Sequence, residues 1–260
     1  MKVLITGGTG FIGSKLAERV GENVTIFSRN EAQQVRMKAK HPKYNYVIGD
    51  ICNYPAILNA CKGMDYVFHF AALKHVNICE QQPMEAARDN VVGTMNVVYA
   101  CLHHSVKLVN MSSDKAINPD NVYGKTKSLA EDMVTKAGFL SIRSGNVLWS
   151  TGSVLPIWKE QINKSNCINL TSDKMTRFFI HPQELINYIW ESKDEVGIRI
   201  IQMKSFRMID IANEFAKRYG NIDTLIRLTG LREGERLHEF RDESTSSEDC
   251  ISDDLNYIFQ

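Results

Sequence analysis

The chain has 260 residues, 43% of them hydrophobic and 23% charged, the mix of a globular protein large enough for one α/β domain with an appendage. Its 31 basic and 30 acidic residues leave a net charge of +1, so no bulk field draws it to nucleic acid or to an anionic membrane. No apolar run is long enough to span a bilayer, and the six cysteines, at 52, 61, 79, 101, 167 and 250, lack the CxxC spacing of zinc or thioredoxin-type sites. Reduced thiols in a cytoplasmic protein without a structural metal are therefore expected.

The first six residues read as a strand, not a signal peptide, because Lys2–Thr6 leads straight into a glycine turn. Further strands are predicted at Asn23–Ser28, Tyr44–Gly49, Tyr66–Phe70, Lys107–Ser112 and Phe139–Arg143. Most are rich in Val, Ile or Phe without clean alternation, as strands buried on both faces are. Helices are predicted between them at Phe11–Val20, Glu31–Lys40, Tyr54–Ala60, Met84–His103 and Asn121–Ala137. This βα rhythm predicts an α/β fold with a doubly wound parallel sheet and a ligand crevice at the carboxyl ends of the strands. After Arg143 the rhythm loosens. A loop at Ser144–Ser153 precedes helices near Leu155–Lys164, Pro182–Ser192 and Met208–Arg218, with strands at Cys167–Leu170 and Gly197–Gln202. Residues 1–145 are expected to form the dinucleotide-binding domain, with parts of 172–202 returning to it. Residues 146–260 are expected to be mainly a small substrate cap and a tail. The acidic, serine-rich stretch Arg241–Asp254 is expected to be loosely ordered, and Leu255–Phe259 to dock as a strand.

Three glycines, Gly7-x-x-Gly10-x-x-Gly13, follow the first strand and open a helix. Gly7 permits the tight turn, Gly10 the approach of backbone to a pyrophosphate, and Gly13 close helix–sheet packing, with Thr9, Phe11 and Ile12 completing the loop. The helix start then offers free N–H groups to phosphate. The second strand ends at Ser28-Arg29, with no acid to hold a ribose 2′-hydroxyl. A small residue beside a cation suits a 2′-phosphate, so NADP is the expected cofactor. Asp50-Ile51 either bracket the adenine or cap the helix that follows. Ala71-Ala72 after the fourth strand are small enough for backbone to pass close to the cofactor.

Tyr123 and Lys127 form a YxxxK pair, one helical turn apart on one face. Lowering a tyrosine pKa by about 3 units toward neutrality takes roughly 4 kcal/mol of phenolate stabilisation, which a nearby ammonium and an oxidised nicotinamide can supply. Upstream, at the end of the fifth strand, Ser113 is placed to bond a substrate hydroxyl, and Asp114 and Lys115 set an acid beside a base. A plain dehydrogenase needs no such pair; loss of water needs both members.

Six segments occur in order: Gly7–Gly13, Ala71-Ala72-Leu73-Lys74-His75-Val76, Ser112-Ser113-Asp114-Lys115-Ala116-x-Asn118-Pro119, Tyr123–Lys127, Met175-Thr176-Arg177-Phe178 and Gly234-Glu235-Arg236-Leu237-His238-Glu239. In these the chain resembles the UDP-N-acetylglucosamine 4,6-dehydratase (inverting) family, the polysaccharide-biosynthesis branch of the extended short-chain dehydrogenase/reductases. The resemblance implies a carbon–oxygen hydro-lyase with internal hydride transfer through NADP. Tyr123 would take the C4 hydroxyl proton and Lys115 the C5 proton, Asp114 would protonate the departing C6 hydroxyl, and Lys127 would assist Tyr123 and hold the nicotinamide ribose. The product would be a UDP-linked 4-keto-6-deoxy sugar inverted at C5. It also implies that Asn146 bonds the diphosphate, that Val154 and Thr171 line the uridine site, that Arg177, Arg232 and Glu235 grip the nucleotide, that Lys74 touches cofactor or substrate, and that the chain self-associates. Ser113 replaces the usual threonine but keeps the hydroxyl, and the chain is shorter at its C-terminus than the family pattern. An epimerase or reductase would need Tyr123 and Lys127 but not Asp114-Lys115; a cofactor-sensing protein would need neither pair.

Overall fold

The computed structural model describes residues 1–242, 244–248 and 252–260. In chain order the first half runs β1 (Val3–Thr6), α1 (Phe11–Val20), β2 (Val24–Ser28), α2 (Glu31–Lys40), β3 (Asn45–Ile48), α3 (Tyr54–Cys61), β4 (Tyr66–His69), α4 (Val76–Gln81), α5 (Pro83–Ala87), α6 (Gly93–His104), β5 (Lys107–Met111), α7 (Val122–Lys136) and β6 (Leu140–Arg143). The second half runs β7 (Asn146–Val147), α8 (Val154–Ser165), β8 (Cys167–Leu170), β9 (Thr176–Ile180), α9 (Pro182–Ser192), β10 (Gly197–Ile200), β11 (Lys204–Arg207), α10 (Met208–Tyr219), β12 (Leu225–Leu228), β13 (Phe240–Arg241), β14 (Ser244–Thr245) and α11 (Asn256–Phe259).

Seven strands form one all-parallel sheet in the order β10-β6-β5-β4-β1-β2-β3. The order reverses between β1 and β4, which places the ligand crevice beyond Thr6 and His69. Both faces are covered. Leu16 and Ala17 of α1 meet Leu185, Ile186 and Ile189 of α9 over one face. On the other, Ile57 and Cys61 of α3, Val97 and Cys101 of α6 and Val134 of α7 pack on Leu4, Val67 and Leu108. This two-sided burial is why the inner strands carry little alternation.

The cap is built on β7, β9 and β11, the parallel pair β8–β12, and helices α8, α10 and α11. Its own core gathers Trp158, Phe179, Phe206, Phe215, Tyr257 and Ile258. Two expectations are corrected here. Residues 256–259 are helical instead of a strand: Tyr257 and Ile258 are buried while their carbonyls accept from His181 and Trp149 side chains, leaving no ladder to join. The described part of the 241–254 tail is docked rather than loose. Ser246 is fully buried, its hydroxyl 2.6 Å from that of Thr176, and its N–H donates to Glu239 O at 2.7 Å. Residues 243 and 249–251 of that stretch, Cys250 among them, lie outside the described residues.

The single helix expected at 84–103 is α5 and α6 joined by a π-type turn at Arg88–Val92. The turn brings Asn90 inward, where it accepts from Leu73 N–H at 2.8 Å and donates to Leu73 O and Thr126 Oγ1, both at 3.0 Å. One buried amide thus pins the loop after β4 to the helix that carries Tyr123, a use to which π-turns at functional sites are often put.

Candidate active site

The glycine loop is built for a dinucleotide. Gly7 has φ +66°, and a Cβ there would lie 2.8 Å from Ala71 N, so the β1 and β4 loops touch through bare backbone. A Cβ on Gly13 would lie 2.6 Å from Gly7 O, whereas one on Gly10 would meet only Gly7 O at 3.1 Å, so Gly10 fronts open space. No side chain caps the start of α1 and no acid stands in its first turn. Thr9, Phe11 and Ile12 complete this rim, whose free N–H groups and positive helix end suit a pyrophosphate.

At the end of β2, Arg29 donates to Asp89 Oδ2 at 2.9 Å and lies 3.6 Å from Asp50 Oδ2, and the Ser28 hydroxyl accepts from Gln34 at 3.0 Å. Asp50 Oδ1 also accepts from Cys52 N–H at 2.9 Å, as a turn cap does, and Ile51 is buried against Gly93. Ala72 continues the β4 loop. Lys74 Nζ donates to Thr151 O at 2.5 Å, tying that loop to the 148–153 loop.

The candidate catalytic groups arise where β5 runs through Ser112 and Ser113 into a tight turn at Asp114–Ala116. Ser113 Oγ accepts from Lys115 N–H at 3.2 Å and donates to Asp114 Oδ1 at 2.9 Å. Lys115 Nζ sits 3.0 Å from Asp114 Oδ1 and 3.1 Å from Glu239 Oε1, a carboxylate delivered by the tail. Burial disfavours the charged amine, yet the two carboxylates outweigh it and hold Lys115 above its ordinary range, with Arg177 opposing them. Asp114 Oδ2, Glu239 Oε2 and Ser112 Oγ are buried with no hydrogen-bond partner among the described residues.

Tyr123 is placed by the start of α7. Asn121 Oδ1 accepts from Gly124 N–H at 2.7 Å, and Glu80 of α4 accepts from Val122 N–H at 2.6 Å. Gly124 abuts the catalytic turn so closely that a Cβ would fall 2.3 Å from Lys115 O. Burial holds the Tyr123 phenol above its ordinary value, with Asp114 and Cys79 adding to the rise; Lys115 and a hydrogen bond with Ser113 offset it only in part. The nearby ammonium is thus that of Lys115; Lys127 instead donates to Met111 O at 2.6 Å. Sequence spacing sets Lys127 on the same helix face as Tyr123; only tertiary packing reveals that the Asp114–Ala116 turn also brings the Lys115 charge to the phenol.

Burial draws the Lys127 amine down to about 8, with Glu131 opposing. The folded value lies below the ordinary value of about 10.4, so charged Lys127 weakens the fold below pH 8, and the penalty fades as pH climbs toward 10. Lys127→Met is therefore expected to stabilise the cofactor-free protein at pH 7 by about 1–2 kcal/mol, after the cost of leaving the Met111 carbonyl unpaired. Thermal melting at pH 7 and pH 10 checks this. A lower melting point for the variant at pH 7, or a gain that grows toward pH 10, contradicts it.

The remaining expected residues sit on the cap and tail. Asn146 donates to Phe178 O at 3.1 Å. Val154 opens α8, and Thr171 is buried just after β8. Arg177 is buried, donating to Thr176 O and Leu237 O at 2.8 and 2.9 Å and to Arg236 O at 2.7 Å, which locks the 236–239 segment over the site. Glu235 lies 3.9 Å from Arg177, and its carboxylate accepts from the N–H of exposed Arg232 at 3.2 Å.

A seven-stranded parallel sheet whose switch point holds a glycine cradle, with a Tyr–Lys helix beside it, has the fold class of the extended short-chain dehydrogenase/reductases. Within that class the chain belongs to the polysaccharide biosynthesis protein family, whose pattern matches residues 3–257. It is 36% identical to an uncharacterized membrane protein of Methanocaldococcus jannaschii, over 91% of this chain and 79% of that one. It is likewise 36% identical to a protein of Rickettsia bellii named UDP-glucose 4-epimerase, over 91% of this chain and 76% of that one. Among solved structures, Pen from Bacillus thuringiensis superposes with a TM-score of 0.88 at 36% identity, covering 92% of this chain and 79% of that one. Among the described residues no helix is long and apolar enough to cross a membrane.

Proposed function

We propose that the protein is an NADP-dependent UDP-N-acetylglucosamine 4,6-dehydratase that inverts C5, giving UDP-2-acetamido-2,6-dideoxy-L-arabino-hexos-4-ulose. The observation that carries the reading is the pairing of Asp114 and Lys115 at 3.0 Å inside the field of Tyr123. Tyr123 takes the C4 hydroxyl proton. When bound in the Gly7–Gly13 cradle, the dinucleotide supplies a hydride acceptor that later becomes the donor, so net redox is zero. The C4 carbonyl acidifies C5, whose proton passes to Lys115, while Asp114 gives a proton to the C6 oxygen, which leaves as water; return of the hydride to C6 and addition of a solvent-exchanged proton to the opposite face of C5 complete the product.

The Asp114–Lys115 contact can make both catalysts at once. A proton moving from Lys115 Nζ to Asp114 Oδ1 leaves a free amine and a carboxylic acid without changing the proton count. After elimination the pair is again ammonium and carboxylate. The ionised pair and the reactive pair are thus two tautomers of one hydrogen bond.

The name of the Rickettsia bellii relative favours a second reading, a UDP-sugar 4-epimerase. Incubation with UDP-N-acetylglucosamine in heavy water decides between them. Dehydration gives a product lighter by one water with deuterium at C5; a product of unchanged mass, altered only at C4, establishes the epimerase.

NADP is proposed from Ser28 and Arg29. A 2′-phosphate there would exchange with Asp89 or Asp50 for the guanidinium. Arg29→Ala is expected to weaken NADP binding about 10- to 100-fold, the worth of a charge-assisted hydrogen bond, and to leave NAD nearly unchanged. Titration calorimetry with both dinucleotides tests this, and wild-type protein that prefers NAD refutes it. Self-association is proposed through α6 and α7, which pack together and expose Tyr99, Leu102 and Leu129.

A further inference from the structure

We propose that Glu239 is a positioning residue of this catalytic centre: from the tail it grips the Lys115 amine opposite Asp114, fixing both its aim and the protonation state from which it starts. The inference rests on the dehydratase reading only for its catalytic consequence; the grip itself is geometry. Glu239 is 1% exposed, its Oε1 lies 3.1 Å from Lys115 Nζ, and its Oε2 is buried without a hydrogen-bond partner among the described residues. A carboxylate withdrawn from water in this way, with one oxygen unmatched, is costly unless a cation compensates it. Two cations face it: Lys115 from the catalytic turn and Arg177 from β9, whose Nε is 3.8 Å away.

The tail holds Glu239 rigidly. Its N–H donates to Ser246 Oγ at 3.0 Å, and its carbonyl accepts from Ser246 N–H at 2.7 Å. The preceding residues are stitched to β9, His238 Nδ1 lying 2.7 Å from Thr176 Oγ1 and Leu237 O accepting from Thr176 N–H at 3.1 Å. A further anchor is Asn121, which donates to Gly234 O at 2.9 Å while capping the tyrosine helix. The segment that brings Glu239 is therefore attached to the same helix end that places Tyr123.

The groups facing Lys115 are Asp114 on its own turn, Tyr123 on α7, Arg177 on β9 and Glu239 on the tail; Glu235 and His238 flank Arg177. With Glu239 charged, two carboxylates share one ammonium, which favours the ionised tautomer of the Asp114–Lys115 pair. Removing that charge shifts the pair toward free amine and acid. Glu239 thus restrains Lys115 as a base, and the rest of the site must overcome the restraint when substrate is present.

The test titrates Lys115 directly in the full-length protein without sugar, by NMR of lysine labelled at Cε, with the signal assigned through Lys115→Arg. Glu239→Gln keeps the shape and removes the charge. It is expected to lower the Lys115 midpoint by about one to three pH units, the effect of an opposite charge at this range. Glu239→Asp keeps the charge but draws it back by one methylene and should give a smaller fall. In turnover, the limb of the pH profile that reports Lys115 deprotonation should move the same way. A folded Glu239→Gln protein with an unmoved Lys115 midpoint overturns the proposal; if that variant does not fold, an unmoved midpoint in Glu239→Asp does so. A shifted midpoint in a protein that releases no water from UDP-N-acetylglucosamine sinks the dehydratase reading and leaves the role of Glu239 standing.

Discussion

Lys115→Ala should suppress water loss by at least about 10³-fold, while C4 oxidation, though slowed, persists. Removing a positioned proton-transfer group typically costs 10²–10⁴-fold, and in the proposed mechanism the amine takes the C5 proton. Tyr123 keeps its place in the variant, because Gly124, Asn121 and Glu80 fix the start of α7 without help from the Lys115 side chain. The phenol loses the Lys115 charge that pulls it down, so C4 oxidation should slow but persist. Mixed with UDP-N-acetylglucosamine, the variant should develop the near-ultraviolet absorbance of reduced dinucleotide and yield no product lighter by one water. Asp114→Asn should resemble it, since the amide cannot protonate the C6 oxygen. Both effects include a stability cost, because each variant leaves a buried carboxylate or ammonium short of a partner. Circular dichroism on the same preparations separates unfolding from lost chemistry. Wild-type release of water by folded Lys115→Ala protein removes the lysine from the mechanism.

The parts of this site legible in the sequence are those whose geometry is local. Gly7, Gly10 and Gly13 mean what they do because strand, turn and helix follow in a dozen residues: the structure puts Gly7 and Gly13 beside backbone that tolerates no side chain and leaves Gly10 fronting open space. Tyr123 and Lys127 share a face because helices have a fixed period. What sequence reasoning missed depends on contacts between distant segments. Glu239 lies inside a recognised motif, but nothing near it in the chain says that it meets Lys115. Asn90 looks like any polar helix residue until a π-type turn rotates it toward Leu73 and Thr126. The short cap strands escaped for a related reason. Leu225–Leu228 is a strand because Cys167–Leu170 lies parallel to it, not because its own pattern demands one. The tail looked loose from its serines and acids, yet Ser246 is buried because Thr176, Glu239 and Ser205 consume its polar groups.

Gly124→Ala should both destabilise the protein and cut turnover about 100-fold, the reverse of what the substitution does elsewhere. In an ordinary helix interior, replacing glycine by alanine gains roughly 0.5–1 kcal/mol, because the unfolded chain loses freedom. Gly124 lies in the first turn of α7 with no positive φ to protect, so propensity alone forecasts a gain. Contact reverses the sign. A Cβ at this position would stand 2.3 Å from Lys115 O and 3.2 Å from Lys115 C, and backbone cannot step aside as a flexible side chain can. The helix and the catalytic turn must separate, roughly by an ångström, carrying Tyr123 away from Ser113, Asp114 and Lys115. A displacement of that size among reacting groups costs about 100-fold in rate. Lys125→Ala, one residue along and exposed, is the matched control and should alter neither property. Melting temperature and kcat of the two variants form the measurement. If Gly124→Ala is more stable than wild type and fully active, the packing of α7 against the catalytic turn does not set the distance between phenol and lysine, and another contact must hold the two halves of the site together.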